Sequence, residues 1–165
     1  MTELAFLRAY LAWEVFLEET FVSYLVGMRA PRGRAPRRYA FPPNRRAAEQ
    51  WVVPEGRPFA KWDAVAVANR ADRFFGGGGP YTSAIRSHQS ALDEMKTIRN
   101  AVAHESQNAQ EKFETLVRVK LRSLPPRLTV GSFLLATVAG STPATSFLDS
   151  YLSKLQLIAS LIVPT

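Results

Sequence analysis

The stretch Ile98-Arg99-Asn100-Ala101-Val102-Ala103-His104 gathers a guanidinium, a carboxamide and an imidazole within two turns of chain. Imidazole is the side chain that gives and takes protons near neutral pH, and a guanidinium grips anionic oxygens through a planar fork of donors. Together they suit acid–base chemistry on an anionic substrate. In a helix, Asn100 and His104 are neighbours on one face because they lie four residues apart. Arg99 falls about 140° around from His104 on a straight helix. All three then serve one site only if the last turn bends or residues of a second copy of the chain complete it.

The helix expected to carry this stretch has a stripe of Ile85, His88, Leu92, Met95, Arg99 and Val102, which sets Arg99 in apolar company. A matching stripe near the N-terminus reads Leu7, Leu11, Glu14, Glu18, Phe21 and Leu25. A charge on such a face is costly unless paired. The two helices are therefore expected to pack together, with Glu14 or Glu18 orienting the Arg99 guanidinium. The same geometry also describes an ion pair that serves only the fold, or an oligomer contact. His88 is expected to be a hydrogen-bonded core or interface histidine rather than a catalyst.

Charge is concentrated elsewhere. Of a net +7, residues 28–58 hold +6, from eight arginines against Glu49 and Glu55, with no Lys. Arginine suits phosphate oxygens and stacks on bases, so Arg32, Arg34, Arg37, Arg38, Arg45 and Arg46 are candidate RNA-binding residues. Tyr39, Phe41 and Trp51 interleave with them and offer faces for unpaired bases. The plainer alternative is a solvated, Pro-rich crossover loop.

These residues need elements to hold them. Helical apolar spacing runs from Glu3 to Val26 and stops at Gly27, Pro31, Gly33 and Pro36. A long connection follows to about Ala60, with room for a short helix near Arg45 to Val52. Lys61 to Phe75 reads as a second helix, ended by Gly76 to Gly79 and Pro80. That four-glycine turn lacks the Lys-Ser/Thr of a P-loop and reads as a flexible turn. A third long helix is expected from Thr82 to Glu105, and a fourth from Ala109 to Arg122 through an Asn108…Glu111 capping box. Leu128 to Gly140 is ambiguous between strand and short helix. Ser141-Thr142-Pro143 then opens a last helix to about Val163. The whole predicts an all-α bundle of four to five main helices, with residues 1–165 as a single domain and residues 28–58 as its Arg/Pro-rich connection.

Composition narrows the chemistry. A chain of 165 residues that is 47% apolar buries enough surface to fold without a metal or disulfide staple. With no Cys and only His88 and His104, thiol chemistry is excluded and neither a metal site nor a cofactor is expected. Glu3, Arg8 and Glu14 interrupt what would have to be a clean apolar core in a signal peptide. The C-terminal run Leu155–Val163 is too short to span a bilayer. No membrane association is expected, and absent cysteine suits a cytoplasmic setting.

The Arg99-Asn100-x3-His104 run, near the end of a long helix in a small all-α chain, resembles the R-x4-6-H motif of the HEPN superfamily, and the likeness extends over nearly the whole chain. The resemblance implies a helical bundle, commonly dimeric, and a metal-independent ribonuclease of toxin–antitoxin, anti-phage or RNA-processing systems. Arg99, Asn100 and His104 then take the family's Arg, polar and His positions, with Glu14 or Glu18 in support. Cleavage without metal needs a base for the 2′-OH proton, an acid for the departing 5′-oxygen and a cation at the phosphate. One His per chain implies a homodimer in which two His104 side chains share these roles. The branch silenced by a partner nucleotidyltransferase carries a Tyr two residues after the His. Ser106 stands there, which points towards another branch while leaving room for an antitoxin or regulatory protein partner. The competing class is a non-catalytic HEPN-like module that binds RNA, nucleotide or protein.

Overall fold

The computed structural model describes residues 1–104 and 106–165. Helix makes up 63% of it with no strand, which sets the all-α class. Among the described residues the α-helices are α1 (Thr2–Leu25), α2 (Arg45–Val52), α3 (Ala64–Phe74), α4 (Tyr81–Arg86), α5 (Gln89–Ala103), α6 (Gln107–Leu121), α7 (Val130–Leu135) and α8 (Phe147–Ile162). No helix among them is long and apolar enough to cross a membrane. The chain forms two compact units, the first from Met1–Ala12 and Ser90–Gln156, the second from Trp13–Gln89 and Leu157–Thr165.

The core of the first unit is a run of aromatic rings. Phe113 meets Phe133 edge-on at 5.7 Å, and Phe133 stacks on Phe147 at 4.6 Å. Phe147 continues to Tyr151, and Tyr151 to Phe6. Truncating one such fully buried ring to alanine typically costs about 3–5 kcal/mol. The ambiguous segment after Leu128 resolves as the short helix α7. The Thr129 hydroxyl accepts from the Ser132 N–H while the Ser132 hydroxyl accepts from the Thr129 N–H, a reciprocal cap that favours helix over strand. Glu3 adds an acceptor for the Gly131 N–H at 2.8 Å, at the end of α7 where a negative charge is favoured.

In the second unit, Phe21 packs among Phe74, Phe75, Tyr81 and Trp62. The glycine turn is packed rather than loose. Gly78 is buried at φ +75°, and a side chain there would run into Thr82 and Asp72, which hydrogen-bond each other at 2.8 Å.

Several expectations shift. The long third helix is divided into α4 and α5 at Ser87–His88. There the His88 ring Nδ1 hydrogen-bonds the Ala84 carbonyl at 2.8 Å, while the His88 N–H turns to Ile85. The side chain thus takes the acceptor its own backbone would use in a continuous helix. The expected end at Glu105 lies outside the described residues. Helix α6 starts two residues early, capped by Ser106 instead of Asn108, and α8 starts at Phe147, where the Ser146 hydroxyl accepts from the Asp149 N–H.

Phe21 and Leu25 at the end of α1 are buried as expected, but the buried face of the rest of the helix is not the expected one. Phe6, Tyr10, Trp13, Leu17 and Phe21 are buried, whereas Leu11 and Glu18 are exposed and Glu14 is half-buried. As far as Leu17 the buried positions sit one residue, or about 100°, from the expected stripe, because three aromatic rings remove more apolar area from water than Leu7 and Leu11 would. Glu18 therefore does not sit in an apolar stripe. On α5, Ile98 takes the place in the core that the stripe had offered to Arg99, which is half-buried at its edge.

Candidate functional site

Helix α5 is anchored by Leu92, Met95 and Ile98, all fully buried. That packing turns Thr97, Asn100 and His104, spaced three and four residues apart, onto a common face. The His104 N–H still bonds the Asn100 carbonyl at 3.0 Å, so helical geometry carries through to the histidine. A short connection leads into α6, whose first turn is held by the Ser106 hydroxyl accepting from the Ala109 N–H. Further along, Lys120 of α6 pairs with Glu94 of α5 at 2.6 Å, and Glu94 also accepts from the Tyr151 hydroxyl at 2.9 Å. Burial, reinforced by the adjacent Glu94 carboxylate, raises the Tyr151 hydroxyl well above the ordinary tyrosine range, so it stays protonated and donates. These contacts clamp α5 and α6 as a helical hairpin.

Where the hairpin turns lies a pocket of about 200 Å³, lined by Thr97, Asn100, His104, Ser106, Asn108, Ala109 and Lys112. Asn100 and His104, paired by spacing in the sequence, thus meet in one cavity. Arg99 is not part of its lining. Its Nη1 donates to Asn100 Oδ1 at 3.1 Å and its Nε is shielded from solvent. Glu14 and Glu18 belong to the second unit.

No family model, curated protein or solved structure matches the chain.

The arginine-rich segment, all in the second unit, divides by role. Arg38 donates from Nη1 to the Leu25 carbonyl at 2.8 Å, closing the end of α1, and lies 5.0 Å over the Phe41 ring. Arg45 is shared between Glu19 and Glu49, at 2.8 Å to each. Arg32 donates to the Thr165 carbonyl at 3.0 Å. Arg34, Arg37 and Arg46 are exposed and take part in none of these contacts. Tyr39, Phe41 and Trp51 are all exposed, Phe41 at 67% with Arg38 over one of its faces. The segment is not a loose loop, since the Tyr39 N–H bonds Phe74 O at 2.8 Å and the Gly76 N–H bonds Arg37 O at 2.7 Å.

Two residues escaped sequence reasoning. Lys112 lies in the helix after the motif, where only its four-residue spacing from Asn108 hints that both face one side. Arg70 is 7% exposed, donates to the Lys61 carbonyl at 3.0 Å and stacks 4.5 Å from the Trp62 ring. Burial lowers its pKa from the ordinary arginine value, with Asp63 and Glu18 opposing that shift. Small neighbours on α3, such as Ala68 and Ala71, were the available signal that a long side chain could lie inward. Among the described residues, no three His, Asp or Glu side chains gather as a metal site would need.

Proposed function

We propose that this chain is a metal-independent endoribonuclease of HEPN type, acting as a toxin or anti-phage effector in the cytoplasm. The observation that carries the reading is the pocket at the α5–α6 turn, which His104 and Asn100 line together. In the proposed reaction the RNA 2′-oxygen attacks the adjacent phosphorus. Its proton passes to a neutral imidazole, the bond from phosphorus to the 5′-oxygen breaks, and that oxygen takes a proton from an imidazolium. The products are a 2′,3′-cyclic phosphate and a 5′-hydroxyl. One imidazole serves one role at a time, so a symmetric homodimer with both His104 side chains on one cleft supplies base and acid. In this reading residues 28–58 serve as its RNA-binding arm.

The deciding experiment incubates purified wild type and His104→Ala with total RNA, with and without EDTA, beside growth on induction and light scattering for the oligomer. Cleavage by wild type alone, indifferent to EDTA, is the expected result. The exposed Tyr39, Phe41 and Trp51 beside arginines favour one other reading, a non-catalytic RNA-binding module. RNA binding without cleavage by either protein selects it.

A further inference from the structure

Building on the ribonuclease reading, we infer that Lys112 is the cation that holds the scissile phosphate in the His104 pocket, with Arg99 acting as a positioning residue behind it. Among the described lining residues Lys112 alone carries a permanent charge, and none of them is acidic. Thr97, Asn100, Ser106 and Asn108 surround it with neutral hydrogen-bonding groups. At about 200 Å³ the cavity is smaller than the roughly 300–1,000 Å³ of sites that enclose a drug-sized molecule. It suits a phosphodiester and part of its sugar, leaving the bases outside. The pocket also borders the start of the fifteen-residue α6, whose first-turn N–H groups add partial positive charge to that of the ammonium.

Arg99 is placed differently. It stands about 140° around α5 from His104, and its Nη1 is occupied by Asn100 Oδ1. Its influence on the pocket therefore runs through the Asn100 carboxamide. As the bond from the 2′-oxygen to phosphorus forms and that to the 5′-oxygen breaks, charge grows on the non-bridging oxygens. An ammonium in a preformed cavity stabilises that charge, and lysine serves as a point charge where no planar, two-pronged grip is required.

The test uses the intact chain and inorganic phosphate as probe, followed at constant pH through the His104 imidazole resonances by NMR, beside cleavage of total RNA. Phosphate should shift His104 in wild type and in Lys112→Arg, while Lys112→Ala weakens its apparent affinity and slows cleavage by about tenfold or more. Arg99→Lys should slow cleavage yet leave phosphate affinity within about twofold of wild type, because it keeps a charge but not the guanidinium Nη1 that donates to Asn100. Circular dichroism shows whether each variant folds. Phosphate that shifts His104 alike in wild type and Lys112→Ala, or in neither, overturns the assignment. That arm requires no turnover, so the two ideas fail separately. Should wild type leave RNA intact while phosphate behaves as expected, the ribonuclease reading falls and the anion site at Lys112 stands.

Discussion

The Arg99 guanidinium donates from Nη1 to Oδ1 of its chain neighbour Asn100 at 3.1 Å, joining two side chains that leave the helix about 100° apart. Asn100 also lines the pocket, and its amide Nδ2 carries two further donors. A guanidinium reaches sideways to make this bond while its Nε stays shielded from solvent.

A double-mutant cycle tests that coupling. Arg99→Lys and Asn100→Ala should each lower kcat/KM by about tenfold, and the double variant should be little worse than the poorer single, since residues that act as a unit are not additive. Full multiplication of the two losses in single-turnover cleavage would show that Arg99 acts by another route.

His104 is exposed, so His104→Ala should abolish cleavage while leaving the thermal midpoint within the spread of surface substitutions, about 0.5 kcal/mol. RNA with 2′-deoxyribose at the cut position should resist wild type, because the internal nucleophile is missing. Gel analysis of the product ends checks both points. A 3′-hydroxyl in place of the cyclic phosphate would contradict 2′-oxygen attack.

The arginines of the basic segment should separate into two groups. Replacing Arg34, Arg37 and Arg46 together should flatten the salt dependence of RNA binding by about two log units per log unit of salt, if each meets one phosphate of a single strand. Arg38→Ala and Arg45→Ala remove contacts to Leu25, Glu19 and Glu49, so their effect should also appear in thermal stability. For exposed Arg45 that effect should be below about 1 kcal/mol. Binding isotherms at several salt concentrations and thermal melts measure the two effects separately.

The Tyr151–Glu94–Lys120 network should govern the α5–α6 hairpin. Glu94→Gln leaves the partly buried Lys120 ammonium without its carboxylate and should destabilise the fold by roughly 2 kcal/mol, the scale of a hydrogen bond to a charged group. Tyr151→Phe should cost less, because Lys120 keeps its partner. Urea denaturation of the two variants gives the order, and the reverse order would mean that the ring's hydroxyl dominates.

Local periodicity determined much of this protein by itself. The extents of α1 and α2, the all-α class and the shared face of Asn100 and His104 depend on hydrogen bonds and angles within a few residues, so spacing alone reveals them. Punctuation was less legible. Ser106 and Ser146 cap helices where Asn108 and Ser141 were expected, because several polar residues close together compete for the same backbone N–H groups. Tertiary structure decided the rest. The choice between two neighbouring stripes on α1 went to the one carrying Phe6, Tyr10 and Trp13, since total apolar burial, not the count of apolar positions, sets the rotation of a helix. Arg70 lies inside because Phe21 of α1 and Trp62 receive it, and Lys112 joins His104 because α6 packs back beside α5. Each placement leaves only a faint mark in its own segment, because each depends on what another part of the chain brings to meet it.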